Sequence, residues 1–205
     1  YLTACAGENL LLDAEFPGST YDWTTGAITQ SITVDTSGTY TATITDSQLC
    51  QAIRSFVVTF TPLPVVNLGP DLALCGETSH VIDAGSAGNN VLWNTGATTH
   101  QLTITATGTY SVAVSTPNGC TTRDTVYISM DPLPVDALQD MTPCAGSAPV
   151  LNAGNAGSTY LWNNNETTQT ITASADGTYS VTITTPQHCT ATYDAIVTFT
   201  PLPVV

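Results

Sequence analysis

Strict alternation of apolar and polar residues marks three segments of the chain: GTYTATIT (38–45), GTYSVAVS (108–115) and GTYSVTIT (177–184). In the first, Tyr40, Ala42 and Ile44 fall on one side, and Thr41, Thr43 and Thr45 on the other. Period two with one apolar face predicts an antiparallel strand that is half buried. Each segment is followed by another alternating run, which places Phe56, Val58 and Phe60 inward in one case and Val126, Ile128 and Met130 in the next. Shorter strands are predicted at 10–14, 21–23 and 31–34. Gly, Asn, Asp and Ser fill the stretches between, as turns require. No stripe of period 3.6 appears, so the pattern predicts an all-β chain.

The pattern also repeats. Trp23, Trp93 and Trp162 recur at intervals of 70 and 69 residues, and Tyr40, Tyr110 and Tyr179 keep the same spacing. So do Cys5, Cys75 and Cys144, while Cys50, Cys120 and Cys189 each lie 45 residues beyond them. The segments TPLPVV (61–66), DPLPVD (131–136) and TPLPVV (200–205) close successive units. Fixed self-similarity of this kind is the signature of a repeat architecture. The predicted domains are 1–64, 65–134 and 135–203. The first reads as lacking its leading residues, and Val204 and Val205 as opening a fourth, so a longer array is expected. Six or seven short strands in about 70 residues predict a small β-sandwich for each unit. The three Trp and three Tyr are its expected core.

A sandwich of that size has a thin core, burying roughly 60% of its unfolded surface, which makes the cysteines matter. Repetition favours one bridge inside each unit: Cys5–Cys50, Cys75–Cys120 and Cys144–Cys189. A rival pairing joins neighbours, Cys50–Cys75 and Cys120–Cys144. Either predicts an oxidising, extracytoplasmic compartment.

Sixteen Asp and Glu against Arg54 and Arg123, with no Lys, give a formal charge of -14. Phosphate neutralisation needs clustered cations, so nucleic acid is not an expected partner. No apolar run is long enough to span a bilayer as a helix. Without Lys, a Lys–Asn isopeptide brace is chemically impossible, and trypsin-like proteases have two sites.

The stretch 68–128, with its W-x-x-G-A-x-T, G-T-Y and N-G-C signatures, resembles the Ig-like repeats of very large Bacteroidota cell-surface proteins. These include gliding-motility-type adhesins and cargo of type IX secretion. The resemblance implies an exported, cell-surface or secreted protein acting as adhesin, filament or spacer. The third unit departs, with Asn163-Asn164-Asn165-Glu166 after Trp162. Asn tolerates the left-handed conformation that Gly would adopt there, so the fold is expected to survive.

Candidate chemistry is sparse. His80, His100 and His188 occupy non-equivalent places with no nucleophile beside them, so no catalytic residue is expected and the chain reads as non-enzymatic. No cofactor is expected. Asp71, Asp83 and Asp124 are hard oxygen donors suited to a structural calcium ion, against the ordinary use of Asp in turns and at strand edges. Asp124-Thr125-Val126 fits a Bacteroidota O-glycosylation pattern, which makes Thr125 a candidate acceptor. The expected function is a structural stalk or fibre of an extracellular bacterial adhesin or surface filament. Its partners would be neighbouring repeats, and other copies in a filament or surface polysaccharide. The alternative is a carbohydrate- or surface-binding module acting through loops such as 24–30 and 94–100.

Overall fold

The computed structural model describes residues 1–85 and 88–204; Val205, read above as part of a fourth repeat, lies outside them. Backbone contacts divide the chain into two compact units. One comprises Tyr1–Gly69, Ile82–Leu102 and Tyr110–Val126; the other comprises Pro70–Val81, Thr103–Thr109 and Tyr127–Val205.

The first unit contains all of the first repeat. Its strands are β1 (Leu2–Cys5), β2 (Leu10–Asp13), β3 (Thr20–Trp23), β4 (Ser31–Val34), β5 (Gly38–Thr45) and β6 (Gln51–Thr61). They form one sheet in the order β1-β6-β5-β3 and a second made of β2 and β4. The neighbours β3-β5-β6 and the pair β2-β4 reproduce the C-F-G and B-E pairings of the immunoglobulin sandwich. Alternation delivers the core as expected: Leu12, Tyr21, Trp23, Ile32, Val34, Ala42, Ile44 and Val58 are buried, with Tyr40, Phe56 and Phe60 packed against them. Trp23 is 2% exposed and stacks on Phe56, with ring centroids 5.9 Å apart. On the outer face, Thr41 and Ser55 bond across β5 and β6 at 3.1 Å, a cross-strand pairing of hydroxyls.

The middle repeat contributes to both units. Its strands are β7 (Leu72–Cys75), β8 (His80–Asp83), β9 (Asn90–Trp93), β10 (Gln101–Ile104), β11 (Gly108–Ser115) and β12 (Thr121–Asp131). They keep the same orders, β7-β12-β11-β9 and β10-β8. Ile82, Val91, Trp93, Ile104, Val112, Val114, Val126 and Ile128 are buried.

The second unit contains the third repeat: β13 (Val150–Asn152), β14 (Thr159–Trp162), β15 (Thr170–Thr172), β16 (Gly177–Thr184) and β17 (Thr190–Val197). Its sheets are β14-β16-β17 and β13-β15, around Leu151, Tyr160, Trp162, Ile171, Val181, Ile183 and Val197.

Two signatures acquire physical reasons. In each repeat the indole Nε1 donates to a carbonyl six residues on, Thr29, Thr99 or Thr168, at 2.8 Å. The turn that makes this possible has Gly26 (φ +83) or Gly96 (φ +87) in the left-handed region, and Asn165 (φ +69) takes that place in the third repeat. Asn165 N–H still donates to Trp162 O at 2.9 Å, so the substitution preserves the turn. Tyr40 and Tyr179 of the G-T-Y signature pack against the core clusters and also tie a corner. Tyr40 and Tyr179 are half-buried, and their hydroxyls donate to the carbonyls of Thr36 and Ala175 at 2.9 and 3.0 Å.

The short strands β1 and β7 were not read from the sequence. Each covers a sheet edge in parallel: Leu2–Cys5 beside Val58–Thr61, and Leu72–Cys75 beside Ile128–Asp131. In the third repeat only the bridges Met141–Val197 and Cys144–Thr200 survive. Pro143 lies between them and has no N–H for the ladder.

Candidate functional site

The parallel edge strand decides the cysteine chemistry. Cys5 lies beside Thr61, at the far end of β6, whereas Cys50 immediately precedes Gln51 at its near end. Ten residue steps of strand separate the two, on the order of 33 Å, while a disulfide needs Cα atoms within about 7 Å. The same register holds Cys75 beside Asp131 and Cys144 beside Thr200. A bridge inside each repeat is therefore excluded, and the expected Cys5–Cys50, Cys75–Cys120 and Cys144–Cys189 pairs do not form. The rival Cys50–Cys75 and Cys120–Cys144 pairs do not form either. The bridges are Cys5–Cys120 and Cys75–Cys189, with Cα separations of 5.5 and 5.4 Å and sequence separations of 115 and 114. Each joins the edge strand of one repeat to the F–G hairpin tip of the next. Cys50 and Cys144 are free and exposed.

That tip is built identically three times. Asp46, Thr116 and Thr185 open it, each accepting an N–H at its carbonyl from Leu49, Gly119 or His188. Those three residues have φ of +66, +88 and +65, so His188, one of the three histidines, serves the turn. The opening side chain then accepts the cysteine's own N–H: Asp46 Oδ1 from Cys50 at 2.9 Å, and Thr116 and Thr185 Oγ1 from Cys120 and Cys189 at 3.1 Å each. The opposing ends are equally regular, with the N–H following Cys5, Cys75 and Cys144 donating to Thr61, Asp131 and Thr200 O at 2.8–2.9 Å.

Around the first bridge, Asn118 Nδ2 donates to Thr61 Oγ1 at 3.3 Å and Leu68 N–H to Asp124 Oδ2 at 2.6 Å. Cys120 is 2% exposed. Around the second, the Pro-Leu-Pro-Val segment lies against the third repeat. Tyr193 Oη bonds Pro134 O. Asn155 both accepts from Val135 N–H at 2.8 Å and donates to Val135 O at 2.7 Å. Leu133 packs so close to Gly76 (φ +73) that a Cβ there would meet it at 2.9 Å. Tyr193 and Asn155 escaped the sequence reading because their counterparts are Arg54 and Phe16 in the first repeat, and Asp124 and Ser86 in the second. No repeated identity flags them; the repeated PLPV was the available signal.

The other candidates lie apart. Asp71 Oδ1 accepts Tyr127 N–H at 2.8 Å, fastening the edge strand, and Asp140 does the same for Ile196 at 2.7 Å. Asp124 is divided between Leu68 N–H and, at 2.8 Å, Thr125 N–H. Asp83 accepts from Gly85 N–H at 2.7 Å and Gln101 Nε2 at 3.0 Å. The Gln101 amide first, and Gly85 second, hold its carboxyl below the usual range. Asp13 is likewise lowered, chiefly by Glu15 N–H and then by Gln30. Among the described residues no three His, Cys, Asp or Glu side chains gather into a metal-holding set. Thr125 is exposed on β12.

No protein-family model matches the chain, and no curated protein matches it. Among solved structures it is similar to titin domains I67–I69 (11% identity, 97% of this chain and 95% of that one, TM-score 0.42). It is also similar to the insect immune protein hemolin (12%, 97% and 74%, 0.44) and to a Bacteroides ovatus mixed-linkage glucan utilisation protein, SGBP-B (15%, 98% and 65%, 0.24). At these scores the likeness adds nothing to the topology described above. The chain is a set of tandem Ig-like sandwiches, and its bridges belong to an oxidising compartment.

Proposed function

We propose that the chain is a load-bearing length of an extracellular stalk or fibre, whose modules are the repeats 1–64, 65–134 and 135–203. It works mechanically and without catalysis, at a bacterial surface of the kind its W-x-x-G-A-x-T and N-G-C signatures resemble. The carrying observation is that each bridge ties one repeat to the next and that the two loops overlap. The shortest covalent path through the chain then uses residues 1–5, 75–120 and 189–205, which is 68 of 205. At roughly 3.5 Å per residue, the unfolded chain extends about 240 Å while the bridges hold and about 700 Å once they are reduced. Single-molecule stretching with and without reductant tests this. Full-length extension of the unreduced chain defeats the reading.

The sugar-binding alternative draws little support, because the indoles beside loops 24–30 and 94–100 are buried and bonded inward. Binding on a glycan array by the intact chain would reinstate it. Thr125 remains a proposed glycan acceptor, checked by intact mass of the natively exported protein.

A further inference from the structure

We infer that the two bridges are thiol-exchange sites that admit cationic thiols and turn away anionic ones, with Glu8 guarding Cys5–Cys120 and Asp131 guarding Cys75–Cys189. The inference rests on the surroundings of the bridges and not on the load-bearing role, so the two can fail separately.

Each bridge has one approachable side. Cys120 and Cys189 are 2% and 0% exposed, whereas Cys5 is partly exposed and Cys75 exposed. An attacking thiolate therefore comes in on Cys5 or Cys75. Two shallow depressions flank Cys5, and Glu8 lines both. Among the described residues no Arg or His lines either of them. Glu8 Oε2 accepts the Cys5 N–H at 2.8 Å. That nitrogen is three bonds from the sulfur, so the carboxylate stands within about 7 Å of the attacked atom. In the second repeat the place of Glu8 is taken by Thr78, and the charge comes from elsewhere. Asp131 stands opposite Cys75 in the parallel ladder, where the first repeat has Thr61 opposite Cys5. Its carbonyl lies 4.0 Å from Cys189 Sγ. Glu77, the other acid nearby, has its Oε2 3.6 Å from His80 Nδ1. A carboxylate thus stands beside the exposed sulfur of each bridge, supplied from a different position in each repeat. It repels a thiol carrying a second negative charge and attracts one carrying an ammonium group. The exchange itself is ordinary. The incoming sulfur bonds Cys5 Sγ, the Cys5–Cys120 bond breaks, and Cys120 leaves as a thiolate that takes a proton from water. A second thiol then releases Cys5 as a thiol and departs joined to the first, so two thiols are oxidised as one bridge is reduced.

The test opens the bridges of the purified chain, with Cys50 and Cys144 first alkylated, using cysteamine, mercaptoethanol or mercaptoethanesulfonate. Rates are normalised to each thiol's rate on a small uncharged disulfide, and each bridge is read separately by alkylation and peptide mass. In dilute buffer cysteamine opens both bridges about tenfold faster than the sulfonate on this scale. Glu8→Thr and Asp131→Thr each install the residue that the other repeat carries in that place. Glu8→Thr cuts the ratio to about threefold at Cys5–Cys120 alone, and Asp131→Thr does so at Cys75–Cys189 alone, the remainder coming from net charge. In about 1 M salt, where the screening length falls to about 3 Å, the ratio at both bridges of the unsubstituted chain collapses towards unity. Ratios that ignore both substitutions, or that persist in high salt, overturn the inference. So does equal opening by all three thiols.

Discussion

The F–G tips of the first and third repeats share one turn and differ in everything around it. Each has a left-handed residue before its cysteine, Leu49 or His188, and an opening side chain that takes the cysteine's N–H. Yet Cys189 is 0% exposed and bridged, whereas Cys50 is an exposed thiol. The turn is specified locally; what the sulfur does is specified by the repeat next to it. A disulfide in this chain therefore fixes the relation between modules and leaves each sandwich to its own tryptophan.

Breaking the comparison at its strongest point means removing one sulfur from each tip. Cys189→Ser opens a loop of 114 residues, for which the chain-entropy model gives a loss of up to about 5 kcal/mol, and it frees Cys75 for labelling. Cys50→Ser should leave the urea midpoint of the monomer unchanged. Thiol titration of the native, unoxidised chain sharpens the same contrast: two reactive groups, Cys50 and Cys144, against none had each repeat closed its own bridge. A third test isolates the W-loop turn. Asn165→Val forces a β-branched residue to φ +69, costing about 1–3 kcal/mol; Asn165→Gly should be neutral to within a few tenths. The smallest effect is acid sensitivity. The lowered carboxyls of Asp13 and Asp83 lend stability that is present above the ordinary carboxylate range and lost as pH falls through their folded values. Asn152 makes the corresponding bonds uncharged, to Gly154 N–H at 2.9 Å and Gln169 at 3.3 Å. On acidification from pH 5 to 2, amide protection, taken relative to the intrinsic exchange rate at each pH, should fall at Glu15 and Gly85 and hold steady at Gly154.

Much of the sandwich was legible because burial writes itself into period two. Ala42, Ile44 and Val58 sit where alternation puts them, and the three tryptophans mark the centre of each repeat. Asn165 was readable as a stand-in for Gly because backbone conformation is a local matter. The bridges were not legible. A constant spacing of 45 residues between cysteines is the same whether partners lie in one repeat or in two. The deciding fact, that Leu2–Cys5 runs parallel to Val58–Thr61, hangs on four residues too few to carry a pattern. Tyr193 and Asn155 were hidden because the residues at a junction change from repeat to repeat while the backbone path is kept.

Overlap of the two bridged loops has a last consequence. Every peptide bond between Cys5 and Cys189 lies inside at least one of them. A protease that nicks the polymer anywhere in that span severs no connection. Trypsin, cutting after both Arg54 and Arg123, would leave three pieces held as a single particle, parting only when a reducing agent is added. A strand wound this way tolerates damage as a rope does, by passing the tension to the fibre alongside.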